Sequence, residues 1–224
     1  DLADGTLTGD VRFGAGRGTL TLSGDAAQTG AVTFGAGADA MSLAGSSAYT
    51  GTVDFGGGAD TLTLAGTARF TGAFANSGNL AVKLGGGTLD LNKPASIASL
   101  EVGSGGVLMV TLDKAAGAGS AYNVAGTASF AEGAKLGIRL NDVATAEGSY
   151  QVLTAGTLTG RDKLATNSDL VPFLYKAELN KNAAANAIVV DVKRRTTQEL
   201  GLNRSGAAAY DAVFNVLGKD QKIE

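Results

Sequence analysis

Identical residue types return every 21 positions along the first third of this chain. Phe13, Phe34 and Phe55 fall on that spacing, as do Gly14, Gly35 and Gly56, and Gly16, Gly37 and Gly58. Leu20, Met41 and Leu62 form another column, followed by Leu22, Leu43 and Leu64 and by Gly24, Gly45 and Gly66. Thr-Gly pairs at 8–9, 29–30, 50–51 and 71–72 keep the same beat, each leading to Val11, Val32, Val53 or Phe74. A fixed period of this length means a stack of equivalent units, each covering the apolar face of the next.

Each unit reads as strand. Thr19-Leu20-Thr21-Leu22 and Ala31-Val32-Thr33-Phe34 alternate polar with apolar residues between glycines, the signature of half-buried strands. A helix needs about ten residues free of glycine, and no such window lies between Gly5 and Gly87. A third short piece, at 26–28, 47–49 and 68–70, fits between the two strands; the sequence leaves its facing open. Equivalent strands pair in parallel, roughly 4.8 Å apart. Leu20, Met41 and Leu62 then make one internal ladder and Phe13, Phe34 and Phe55 another. One added residue would turn a unit's inward side chains outward. The constant spacing therefore predicts an all-β fold, a right-handed parallel β-helix, in the hand favoured for parallel crossovers.

Composition narrows the chemistry. Glycine supplies 34 of 224 residues, about twice its usual share, yet 44% of the chain is apolar, so periodic glycine corners are expected rather than disorder. The net charge of −3 offers no basic face for nucleic acid. Cysteine and histidine are both absent. That removes disulfides, thiolate metal sites and thiol catalysis, together with the commonest general base and the Ser-His-Asp arrangement. No run of about 18 or more apolar residues suggests a membrane helix.

After Phe74 the strict period stops while strand patterns continue. Leu80, Val82 and Leu84 alternate, then Leu89 and Leu91, then Leu100 and Val102; Lys93-Pro94 interrupts once and residues 103–106 turn before 107–112. These read as irregular rungs on the same core. From Tyr122 onward, short segments at 122–124, 129–130, 135–140, 150–153, 173–179 and 188–192 suggest antiparallel pairing or a closing sandwich. A stacked fold needs such a cap, because its last unit otherwise exposes an apolar cross-section and open sheet edges. In residues 205–217, Ala207, Tyr210, Val213, Phe214 and Leu217 recur at helical spacing, with Ser205 as N-cap and Gly218 as the residue past the end. A helical turn is also expected at 198–200. The division follows: 1–94 a repeat stem, 95–195 irregular rungs and a cap, 196–224 a junction with a short amphipathic helix.

The order of parts resembles the bacterial autotransporters of type V secretion. Residues 140–156, containing Leu140, Gly148, Ser149, Tyr150, Gln151, Val152 and Leu153, look like the autochaperone region that ends their passengers. The run Arg194, Thr196, Thr197, Gln198, Glu199, Leu200, Gly201, Leu202, Asn203 to Ala207, Ala208, Ala209, Tyr210, Asp211 and Ala212 looks like the junction that follows. Repeats such as 55–66 resemble passenger β-helix rungs. The resemblance implies a passenger that crosses the outer membrane unfolded and folds outward from a stable C-terminal segment. Lack of cysteine fits, because disulfides would obstruct an extended chain in transit. Its implied partners are the passenger's own C-terminal outer-membrane β-barrel and the barrel-assembly machinery. The implied place is the surface of a Gram-negative bacterium. Opening mid-rhythm at residues 5–9, the chain is expected to be an excised stretch of a longer β-helix, without the secretion signal and barrel of the full pattern.

No catalytic, cofactor or metal site is assigned. Gly57-Gly58-Ala59-Asp60-Thr61-Leu62 and Gly37-Ala38-Asp39-Ala40-Met41 are similar to a calcium nonapeptide. Phe34 and Phe55 occupy its first glycine position, however, and Gly18 replaces the acid in the first repeat, so a structural glycine–aspartate corner is preferred. Asp39, Asp54 and Asp60 are read as lying on different columns and make no constellation for polysaccharide cleavage. Arg12 shares a column with Asp54, each read as a solvated-face charge. Tyr49 and Phe70 share a column that is either an exposed strip for sugar stacking or adhesion, or inward packing, the latter preferred. Lys193-Arg194-Arg195 could meet an acidic lipid headgroup; a solvated loop is preferred. The expected function is a non-catalytic stem and folding nucleus, with Val107, Leu112, Leu136, Leu140, Tyr150 and Leu153 as its core. A surface adhesin whose β-helix face mediates cell–cell or host binding is the alternative.

Overall fold

In the computed structural model, residues 1–114, 121–142, 146–167 and 169–214 are described, with Asp211, Val213 and Phe214 as backbone only. The repeats supply β1 (Thr6–Thr8), β2 (Val11–Arg12), β3 (Thr19–Leu22), β4 (Ala27–Thr29), β5 (Val32–Thr33), β6 (Ala40–Leu43), β7 (Ala48–Asp54), β8 (Thr61–Leu64) and β9 (Arg69–Ala75). Then come β10 (Ala81–Leu84), β11 (Thr88–Leu91), β12 (Ala95–Ile97), β13 (Ser99–Val102), β14 (Val107–Leu112), β15 (Tyr122–Phe130) and β16 (Lys135–Leu140). The chain closes with β17 (Gly148–Thr159), a 3-10 turn (Arg161–Lys163), β18 (Ala165–Asn167), β19 (Tyr175–Leu179), β20 (Ala187–Arg194) and α1 (Arg204–Phe214).

These strands form two ten-stranded sheets, and the chain passes repeatedly between them. One runs β3-β6-β8-β10-β13-β15-β17-β20-β19; the other runs β1-β4-β7-β9-β11-β14-β16-β18. Pairing is parallel throughout the repeats. Thr19 lies beside Ala40 and Ala40 beside Thr61, an offset of 21 each time. The second sheet keeps the same offset through Thr6, Ala27, Ala48 and Arg69. Alternation puts Leu22, Leu43 and Leu64 wholly inside, and the buried side chains of both sheets form one continuous cluster. The third short piece faces inward too, running directly into the following strand within β7 and β9. Such packing contributes about 1.5–3 kcal/mol per buried leucine or phenylalanine.

The lost period is chiefly a change at the corners, with one shift inside the ladder, where β15 and β17 change register between Val124 and Thr127. Thr61 pairs Ala81 at an offset of 20, Ala81 pairs Ser99 at 18, Val107 pairs Lys135 at 28, and Lys135 pairs Ala165 at 30. At the first shortened corner Asn76 adopts a left-handed φ of 51°, its side-chain amide donating to Asp54 Oδ1 at 2.8 Å. Asparagine tolerates that conformation better than most residues. The shortening at this corner is thus absorbed where no strand register is at stake.

Strand direction corrects the sequence reading after Tyr122. Residues 122–124 and 129–130 belong to one strand, β15, which is parallel to β12, β13 and β17, and β16 is parallel to β14 and β18. Antiparallel pairing begins only where β20 lies against β17 and β19 against β20. Of the expected core, Leu112, Leu136, Tyr150 and Leu153 are buried and Leu140 is partly buried against the cluster. Val107 is not: it pairs Thr88 and Lys135 on the outward column, while Leu108 and Val110 take the inward places. The helix starts two residues earlier than expected, with Asn203 rather than Ser205 capping it through Oδ1 on the Gly206 amide at 2.9 Å. Leu217 and Gly218 lie outside the described residues. No helix among the described residues is long and apolar enough to cross a membrane.

Candidate functional site

The glycine–aspartate corner is a backbone-binding ladder. Asp39 and Asp60 share one column, contrary to the sequence reading, because both stand at the same step of their repeats. Each reaches back toward the preceding repeat: Gly18 N–H donates to Asp39 Oδ1 at 2.5 Å, and Asp39 N–H donates to Asp60 Oδ1 at 2.8 Å. Both carboxylates are buried, and Asp39 Oδ2 has no hydrogen-bond partner. Burial, with the Asp39 charge adding to it, raises the Asp60 carboxyl above the usual carboxylate range, against the lowering effect of its backbone hydrogen bond. Asp54 sits elsewhere, accepting from Gly56 N–H at 2.8 Å, and Arg12 lies 4.0 Å from Asp10 at the surface. Among the described residues no group of three or more potential ligands converges on a point that could hold a metal ion. The corner's chemistry is to satisfy amides that turns leave unpaired.

The aromatic columns line the interior. Tyr49 and Phe70 are fully buried, their rings 4.9 Å apart, so they form no exposed strip. Tyr49 Oη lies 2.9 and 3.0 Å from the carbonyl oxygens of Gly30 and Thr52. Burial pushes that phenol far above its ordinary range. Phe13, Phe34 and Phe55 stack at centroid distances of 4.8 and 5.8 Å, and Phe74 closes the group edge-on to Phe55 and Phe70. Such pairs add about 0.5–1.5 kcal/mol beyond the area they bury.

The basic run at the end of β20 is a clasp. Arg194 N–H donates to Glu147 Oε1 at 3.0 Å, and its guanidinium lies 4.6 Å from the Tyr210 ring centroid. Arg195 Nε donates to the Tyr175 carbonyl at 3.0 Å, and Tyr210 Oη donates to the Arg195 carbonyl at 2.9 Å. Helix α1 is thereby tied to the last two strands. Lys176 meets Glu199 at 2.5 Å, and Glu199 also accepts from Thr196 N–H at 2.7 Å while Thr196 Oγ1 accepts from Glu199 N–H at 3.2 Å. That reciprocal pair is a capping box, and it sets the turn expected at 198–200. Burial, with Glu147 adding to it and Arg194 opposing, pushes the Tyr175 phenol up to about 12.

Two polar features escaped the sequence reading. Asp90 and Arg139 are joined side by side, Arg139 Nη2 donating to Asp90 Oδ2 at 2.8 Å, across the intervening β14. Tyr122 Oη donates to the Met109 carbonyl at 3.0 Å in the interior. The buried acidic residue between Leu89 and Leu91 in β11 was the one available signal. Compared with protein-family models, with curated proteins and with solved structures, the chain matches none.

Proposed function

We propose that the two sheets are faces of one right-handed parallel β-helix, and that the chain is the non-catalytic stem and folding nucleus of an autotransporter passenger. Its partner would then be an outer-membrane β-barrel with its assembly machinery, and its place the surface of a Gram-negative cell. The observation that carries the reading is the difference between the two ends. The stack finishes in antiparallel β20 and β19, with Tyr122, Tyr150 and Tyr175 buried beneath and α1 clasped on. A stack propagates from whichever end holds together first, and this end is held by antiparallel pairing and by the α1 clasp. The right hand follows from parallel crossovers. The adhesin alternative loses its aromatic strip, since Tyr49 and Phe70 face inward.

Display of the chain on Gram-negative cells, joined to an outer-membrane barrel, tests the role. Leu153→Ala in β17 and Leu43→Ala in β6 each remove a buried leucine at a cost of about 2–5 kcal/mol. The nucleus reading expects display to fall with the first and to survive the second. Equal loss with both, or loss only with the second, overturns it.

A further inference from the structure

We infer that a recess on the outer surface, where β12, β15 and β17 lie side by side, binds one neutral sugar ring. The inference stands on local geometry and side-chain chemistry and does not depend on the role in secretion.

The recess exists because one strand breaks its alternation. Ala95 lies beside Tyr122 and Tyr122 beside Leu153, and all three are buried. The residue before each should then face outward, which gives a column of Pro94, Ala121 and Val152. Val152 leaves that column. β17 shifts register against β20 between Gln151 and Leu153, and Val152 is wholly buried next to the equally buried Leu153. The outward column therefore lacks a side chain on its third strand, and Ala121 beside the gap is small. A cavity of about 160 Å³ remains. The same shift places Gln151 and Thr154 on one face, although they are three residues apart and a regular strand would turn them to opposite sides. Bulges re-aim side chains in this way, and they are over-represented next to active sites.

The lining selects the ligand. Ser96, Asn123 and Thr154 form one column across the three strands, and Gln151 stands beside it on the rim. No lining residue carries a charge, so neither an anion nor a metal ion finds a counter-charge here. The four polar side chains are hydroxyls and carboxamides, groups that both donate and accept. Thr154 Oγ1 donates to Asn123 Oδ1 at 3.2 Å, which orients that carboxamide and leaves its Nδ2 to donate elsewhere. The Ser96 and Gln151 side chains are spent on no described partner. Pro94 and Ala121 supply the apolar part of the wall. A pyranose meets both halves, since its hydroxyls donate and accept while its C–H face is apolar. The volume lies below the roughly 300–1,000 Å³ of sites for drug-sized ligands. One ring fills it, and any longer glycan would run outward over the sheet.

The test is an NMR titration of the isotope-labelled full chain with the methyl glycosides of glucose, galactose and mannose, and with N-acetylglucosamine. At least one of these is expected to shift the side-chain amide signals of Asn123 and Gln151 saturably, with a dissociation constant of about 1 mM. Gln151→Ala and Ser96→Ala alter exposed side chains. Each is expected to leave the melting temperature unchanged and to weaken binding about tenfold, the worth of one polar contact. Thr154→Val releases the Asn123 carboxamide and is expected to weaken it as well. Shifts that fail to saturate with every sugar overturn the inference. So does an affinity that survives both Gln151→Ala and Ser96→Ala. Saturation by acetylglycine methylamide and by none of the sugars would assign the recess to a peptide group and overturn it too.

Discussion

Gln28 is the repeat region's most conspicuous cost: its amide is buried between Leu7 and Tyr49, and neither Oε1 nor Nε2 has a partner. An unsatisfied buried polar group costs about 1–3 kcal/mol, and the rest of its column is apolar or aromatic. Gln28→Leu is therefore expected to stabilise the protein by about that amount, read as a higher urea midpoint; a lower midpoint would mean that the amide is satisfied after all. Asp60 gives a pH signature. Its carboxyl titrates above its ordinary value in the folded state, so the protonated form is the better bound one. The stability linked to it is complete below the unfolded value and is lost as pH rises through the raised folded value. Asp60→Asn keeps an oxygen for the Asp39 amide and removes the titration. The melting temperature of the parent should fall relative to this variant between pH 3 and pH 7, approximately, in paired melts; a difference flat in pH would refute the assignment. The Asp39–Asp60 column was legible by subtraction alone, whereas the inward facing of Gln28 was not: a short Ala-Gln-Thr strand carries too few apolar residues to declare its face.

At the scale of single elements, the capped turn and helix α1 hold the chain's last described segment to the sheet. Asn203→Ala removes the side-chain acceptor for the Gly206 amide and is expected to cost about 1 kcal/mol of helix stability, seen as faster exchange of the amides at 206 and 207. Glu199 reports on the turn before it. Its hydrogen bond from Lys176, helped by those from Thr196, holds the carboxyl down to about 2. The contribution is present above the ordinary glutamate value and is lost as pH falls toward 2. NMR titration of the Glu199 carboxyl should show that depressed value, and Lys176→Met should return most of it toward normal. The Thr-x-x-Glu spacing of this box was present in the sequence, as was an N-cap residue type at both 203 and 205; boundaries this short are decided by which carboxamide or hydroxyl points back at the helix. The Asp90–Arg139 pair was beyond reach, since nothing local links β11 to β16 until β14 lies between them. Strand direction near the cap was hidden for the same reason: alternation fixes a face, and direction depends on the partner.

Across the whole molecule, the repeat is legible because one physical condition, identical side-chain facing in every unit, is written into spacing. The condition holds only within strands. Corners change length freely, and the observed offsets of 20, 18, 28 and 30 leave the ladder parallel. This distinction makes a deletion experiment decisive. Removing residues 42–62 joins Met41 to Thr63, a full 21-residue unit, and the following Leu64 falls where Leu43 stood. The shortened chain should keep hydrogen-exchange protection in its remaining repeats and unfold with a smaller denaturant slope, in proportion to the surface lost. Removing residues 43–62 instead leaves Ser42 ahead of Thr63 inside a strand, so Leu64 lands on the outward face and its polar neighbour on the inward one. Everything ahead of that junction should then lose hydrogen-exchange protection, while β15, β17, β19 and β20, whose pairing is unaffected, keep theirs. If both deletions fold equally well, register in the repeats is set by something other than the inward ladders. If the smaller deletion unfolds the cap as well, the two halves share one cooperative unit and the cap does not stand as an independent nucleus.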